Sequence, residues 1–173
     1  LAVWQCFEET VKLYKYVEDR IENASLEVYT PDQEAAKKIL KKNSIRNYTL
    51  DFVSQEELAQ RMRKIKFGFV LREDNIVNNV ATPTKFSSYM SSGIIPIYSK
   101  CVKDFYQHTF DKFYVLPLDG FDLSKNGSKI IQLCEKNILP NDVWEEFRNF
   151  FDDYYSAEKY IDHLKSFFQH LRD

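Results

Sequence analysis

The sequence predicts an α/β protein, a Rossmann-like doubly wound parallel sheet with helices on both faces. Three observations carry that expectation. Short apolar runs alternate along the chain with segments whose apolar residues recur at helical spacing. The runs are apolar at successive positions, as in strands buried on both faces, and not at every second position. The stretch Lys66 to Ser99 reads as strand, polar loop, helix and strand, which is a βαβ unit.

Taken in order, Leu1 to Val3 is a short apolar segment. It is the tail of the strand that such a sheet places before its first helix, unless part of that strand is absent. Phe7, Val11, Tyr14, Val17 and Ile21 then mark an amphipathic helix to about Glu22. Leu26 to Tyr29 reads as a strand. Thr30-Pro31-Asp32-Gln33 reads as a capping box with proline at the first helical position, opening a helix that faces inward through Ala35, Ala36, Ile39 and Leu40. Thr49 to Val53 is the next strand, and Ser54 with Glu57 forms a second capping box ahead of Leu58, Met62 and Ile65.

Phe67 to Leu71 and Ile94 to Tyr98 are the strands of the βαβ unit, and Gly93 stops the helix between them. Phe105 and Phe110 lie in a short helical or irregular segment before a strand at Phe113 to Leu118. Asp119-Gly120 and Asn126-Gly127 are turn signals, and Ile130, Ile131, Leu133 and Cys134 face a helix inward. Asn141 or Asp142 caps a helix with the apolar stripe Val143, Trp144, Phe147, Phe150 and Phe151. Ser156 opens a last amphipathic helix, residues 156–173, whose stripe of Tyr160, Ile161, Leu164, Phe167, Phe168 and Leu171 is expected to be core.

With 173 residues, 44% hydrophobic and 16% aromatic, the chain suffices for one well-buried core, so residues 1–173 are expected to form a single domain. It begins without Met and is expected to be part of a longer protein. The 24 basic and 26 acidic residues are interspersed, for a formal charge of -2, and no basic block tracks a nucleic-acid backbone. Nucleic acid is therefore not an expected partner. Cys6, Cys101 and Cys134 are odd in number and widely spaced, which fits neither a disulfide framework nor a metal site and points to a reducing, cytoplasmic setting. No run approaches the roughly 20 apolar residues of a membrane span, and no signal peptide is visible.

Chemistry is concentrated where the helix of the βαβ unit begins. Thr82 reads as N-cap and Pro83 as the first helical residue, which puts Lys85 third, inside the positive end of the helix dipole. A cation there is mildly unfavourable alone and becomes favourable with an anion at the helix start, the logic of a phosphate site. The plainer alternative is a solvated lysine, since a misplaced exposed charge costs only a few tenths of a kcal/mol. Arg72 and Glu73 follow a buried strand directly, at the strand end where α/β folds bind ligands. Ligand contact and a strand-end salt bridge are both open for them. His108, His163 and His170 have no partner at readable spacing, and Asp152-Asp153 reads as a solvated face.

Three motifs then converge: W-Q-C-F-E-E at Trp4 to Glu9, F-G-F-V-L-R-E-D at Phe67 to Asp74, and A-T-P-T-K-F-S-S-Y-M-S-S-G at Ala81 to Gly93. Together they resemble the carboxyl-terminal, nucleotide-sugar-binding half of retaining GT-B glycosyltransferases, over nearly the whole chain. The resemblance implies transfer of a sugar from a nucleotide-diphosphate donor to an acceptor, in polysaccharide or glycan synthesis. It implies an amino-terminal acceptor-binding domain beyond this chain, towards which the last helix packs, and it admits peripheral membrane association of the whole enzyme. It implies no metal and no cofactor. Lys85 and Arg72 would neutralise the departing diphosphate; Thr82, Pro83, Thr84 and Ser88 would line the donor site, and Glu73 or Asn79 would position the sugar.

The sequence also departs from that pattern. Ser88 stands where the family commonly has a ribose-binding glutamate, and Val80 where it has another glutamate. Gly93-Ile94-Ile95-Pro96 carries one residue more than the usual Gly-x-Pro step. Serine offers one hydrogen bond where a carboxylate offers a charged bidentate acceptor. Two alternatives follow: a non-catalytic binding or assembly domain of this architecture, and a nucleotide-sugar 2-epimerase.

Overall fold

The computed structural model of the chain describes residues 5–170. The expectations for Leu1 to Val3, Trp4 and Leu171 fall outside these residues, as do those for the side chains of Lys159, His163 and His170. Helices and strands alternate in the order α1 (Phe7–Glu18), β1 (Leu26–Tyr29), α2 (Gln33–Lys42), β2 (Tyr48–Asp51), α3 (Gln55–Met62) and β3 (Phe67–Val70). There follow α4 (Ile76–Val80), α5 (Lys85–Met90), β4 (Ile95–Ser99), α6 (Lys103–Thr109) and β5 (Leu116–Leu118). The described chain closes with α7 (Leu123–Glu135), α8 (Pro140–Tyr154) and α9 (Ala157–His170).

Among the described residues all pairing is parallel, as the buried strands predict, but it falls into two sheets and not one. β1 pairs with β2, from Leu26↔Tyr48 to Tyr29↔Asp51. β4 lies between β3 and β5, with Phe67↔Ile95 and Ile97↔Leu116 in register. The strand that a doubly wound sheet would place ahead of α1 is outside the described residues. Helix α1 spans both sheets: Val11 and Tyr14 pack with Leu26, Val28 and Leu40, whereas Leu13 and Val17 pack with Leu71, Ile97 and Ile130. Buried Glu18 at its end accepts the Arg46 and Asn47 N–H groups at 2.9 and 2.8 Å, fixing the turn that leads into β2.

The largest core lies on the other face of the three-stranded sheet. Phe86, Tyr98, Phe105 and Phe147 are at most 1% exposed there. Phe86 stacks on Phe105 with centroids 3.6 Å apart, and both meet Tyr98 edge to face.

Several local expectations are corrected. Asn126-Gly127 is not a turn: Asp122 caps α7 by accepting the Lys125 N–H at 2.8 Å, and the pair lies buried inside that helix. A side chain at Gly127 would collide with the ring of Tyr16, so this glycine permits close approach of α1 and α7. Thr30 does not cap α2; its hydroxyl accepts the Asp32 N–H at 3.1 Å and Asp32 takes the N-cap position. Ser54 does cap α3, accepting the Glu57 N–H at 3.2 Å. Leu139 precedes α8, with Pro140 in its first turn, in place of Asn141 or Asp142. On α9, Tyr160, Ile161, Leu164, Phe167 and Phe168 are 45 to 59% exposed, so the expected core stripe is an uncovered apolar face. Among the described residues no helix is long and apolar enough to cross a membrane.

Candidate functional site

β3 and β4 end side by side, and the first polar residue beyond β3 is Arg72. Its backbone N–H donates to Ser99 Oγ at 2.9 Å, tying the loop to the end of β4. Its guanidinium is buried, with the residue 8% exposed, and donates through Nη1 to the Leu71 carbonyl at 2.9 Å. Among the described residues no carboxylate pairs with it. Burial therefore lowers its pKa, although the group remains a cation. An ion taken from water without a counterion costs several kcal/mol.

Lys85 is the second cation. It opens α5 on the far side of the loop, and no ion pair engages it among the described residues. Solvent reaches the side chain, yet enough protein surrounds the ammonium that desolvation, reinforced by the charge of Arg72, lowers its pKa. The charge of Arg72 thus acts on Lys85, and both residues follow the carboxyl end of β3, the side on which open α/β sheets bind ligands.

Helix α5 begins two residues later than the sequence suggests. Thr84 is the N-cap residue, Lys85 is the first helical residue, and the Phe86 N–H reaches back to the Pro83 carbonyl at 3.0 Å. The reason is Thr82, whose hydroxyl donates to Asp104 Oδ2 at 3.3 Å on α6, where Tyr154 also donates. Thr82 is thereby committed to the scaffold and cannot cap. With six residues, α5 has too little dipole to hold a ligand alone, so the two cations carry the site. Among the described residues the Thr84 and Lys85 N–H groups have no acceptor, and both are exposed.

The other expected residues surround this pair. The loop from Arg72 to Ala81 contains α4, capped by Asn75 Oδ1 accepting the Asn78 N–H at 2.9 Å. Asn78 is buried and donates Nδ2 to the Glu73 carbonyl at 2.9 Å, which sets the loop's shape. The Glu73 carboxylate is exposed and unengaged among the described residues. Half-buried Asn79 has a buried Oδ1 with no hydrogen-bond partner. Ser88 is exposed, but its hydroxyl donates to the Thr84 carbonyl at 3.2 Å.

Sequence reasoning missed Tyr89, Asn78 and the Asp104–Tyr154 pair. Tyr89 lies over β3 because Gly68 has no side chain; a Cβ there would stand 2.5 Å from the ring. Its hydroxyl donates to the Phe69 carbonyl at 3.4 Å and lies close enough to Arg72 to feel its charge. The one available signal was Gly68 within an otherwise apolar strand, which marks a close approach.

Fold and site together define an α/β protein of alternating helices and parallel strands, with Arg72 and Lys85 following the carboxyl end of β3. No protein-family model matches the chain, and a search of curated proteins finds no match.

Proposed function

We propose that this chain is the donor-binding, Rossmann-like half of a retaining GT-B glycosyltransferase, which moves a sugar from a nucleotide-diphosphate donor to an acceptor. The observation that carries the reading is the pairing of buried Arg72 with Lys85, two cations without a carboxylate partner among the described residues. A nucleoside diphosphate supplies the missing negative charge. As the glycosidic bond breaks, charge grows on the departing phosphate oxygens, and fixed cations in a partly desolvated recess stabilise that state most. Arg72 offers the planar fork and Lys85 the mobile point charge.

The free N–H groups of Thr84 and Lys85 add donors to the same phosphates, next to Pro83, which has none. The unengaged carboxylate of Glu73 is available to sugar hydroxyls, whereas the Oδ1 of Asn79 is buried. Thr82 serves by tethering the loop to Asp104. The acceptor domain lies beyond this chain, and the exposed apolar face of α9 suits packing against it. A second reading, a domain of this architecture that only binds or assembles, is favoured by Ser88, whose hydroxyl turns into its own helix and offers the ribose no carboxylate.

Calorimetric titration with UDP, GDP and ADP tests the proposal. At least one should bind, and Lys85→Ala should weaken it by roughly 10- to 100-fold, the loss of a charge-assisted hydrogen bond of about 1.5–3 kcal/mol. Absence of binding by all three, or binding indifferent to Lys85, supports the assembly reading.

A further inference from the structure

A second concave site lies at the opposite edge of the three-stranded sheet. It is a groove of about 360 Å³ floored by β5 and walled by α7 on one side and by Tyr106 and Phe113 on the other. Three lysines converge on it. Lys100 follows β4, Lys129 stands on α7, and Lys136 is the residue that ends α7, with Gln132 and Leu133 between them on the groove wall. Lys100 and Lys129 are half-buried, and among the described residues none of the three forms an ion pair. The rings orient two of the ammonium groups: Lys136 Nζ lies 4.4 Å from the Phe113 centroid and Lys100 Nζ 5.3 Å from that of Tyr106. On α8, Glu146 accepts the Phe113 and Tyr114 N–H groups at 3.0 and 2.8 Å.

The groove does not suit strand addition. β5 has only three residues, and Pro117 at its centre has no N–H to offer an incoming strand. What remains is a small, flat-faced polyanion. We infer that this groove is a second ligand site for a nucleoside phosphate, with phosphates among Lys100, Lys129 and Lys136 and the base against Phe113 and Tyr106. Its volume suits a mononucleotide. The site is separate from Arg72 and Lys85 and does not depend on the reading of that recess.

The test is calorimetry on the Lys85→Ala variant, which weakens the first recess, with ADP and inorganic pyrophosphate as probes. ADP should bind saturably, several-fold tighter than pyrophosphate because its base gains the ring contacts. The triple substitution Lys100→Ala, Lys129→Ala, Lys136→Ala should weaken ADP at least tenfold, while lysine-to-arginine replacements at the same positions retain it. The inference is overturned if the triple variant binds ADP as well as its parent does, or if Lys85→Ala alone removes all ADP binding. It is equally overturned if sulfate at matched ionic strength displaces ADP as effectively as pyrophosphate, which would show a general counterion effect.

Discussion

Arg72→Met is expected to weaken nucleoside diphosphate binding by about 100-fold or more while leaving the ligand-free protein as stable as the parent, or more stable by up to about 2 kcal/mol. The two effects have one cause. The guanidinium is buried and no carboxylate pairs with it among the described residues, so the folded, unliganded state bears the cost of holding that ion out of water. Methionine fills similar space without charge. The exchange leaves the Leu71 carbonyl without its 2.9 Å donor, which offsets part of the gain. It also relieves Lys85, whose pKa should return towards the ordinary lysine value. For the ligand the loss is larger than at Lys85, because a desolvated cation interacts more strongly, and affinity should fall by about 100-fold or more. Denaturant titration and calorimetry on the same sample separate the two. A variant destabilised by several kcal/mol would instead make Arg72 a structural residue.

Phe86→Ala is expected to have the largest effect on stability, roughly 3–5 kcal/mol. Phe86 is fully buried, stacks on Phe105 and meets Tyr98 edge to face, so its removal opens a cavity between α5, α6 and β4. It also follows Lys85 directly, which makes it the anchor by which the core holds the cation in place. Diphosphate affinity should therefore drop at temperatures where the variant is still folded, although no ligand-contacting group has been altered. Phe86→Leu should recover most of the stability. A loss below about 1 kcal/mol for the alanine variant would mean that α5 is fastened by something other than this stack.

The elements that the sequence made legible are those decided by local pattern. β1 was readable at Leu26–Tyr29 because its apolar residues are bounded by polar turns, and the cap at Ser54 because its partner Glu57 is three residues away. What was not legible depends on distant residues. Thr82 resembles an N-cap until Asp104, twenty-two positions on, takes its hydroxyl and moves the start of α5 to Lys85. Asn126-Gly127 resembles a turn until Tyr16 of α1 is seen to need the missing side chain. The aromatic stripe of α9 has core periodicity, but periodicity says only that a face is apolar and not that this chain covers it. In the site, Arg72 could be placed at a strand end from sequence alone. That no carboxylate pairs with it among the described residues, which gives it meaning, appears only when the neighbouring elements are assembled.

Proton-linked calorimetry on the recess tests the central assignment most directly. Lys85 has a lowered pKa in the free protein, so over mildly alkaline pH part of its ammonium is deprotonated, and a diphosphate that docks there must recharge it. UDP binding at mildly alkaline pH, below the ordinary lysine pKa, should take up more of a proton than it does at neutral pH. The heat should then vary with the ionisation enthalpy of the buffer, and affinity should fall as pH rises through the lowered pKa. Lys85→Ala should bind more weakly and show no such uptake. Binding with the same affinity in both proteins, and with a pH dependence that Lys85→Ala leaves unchanged, would contradict a diphosphate held by Arg72 and Lys85.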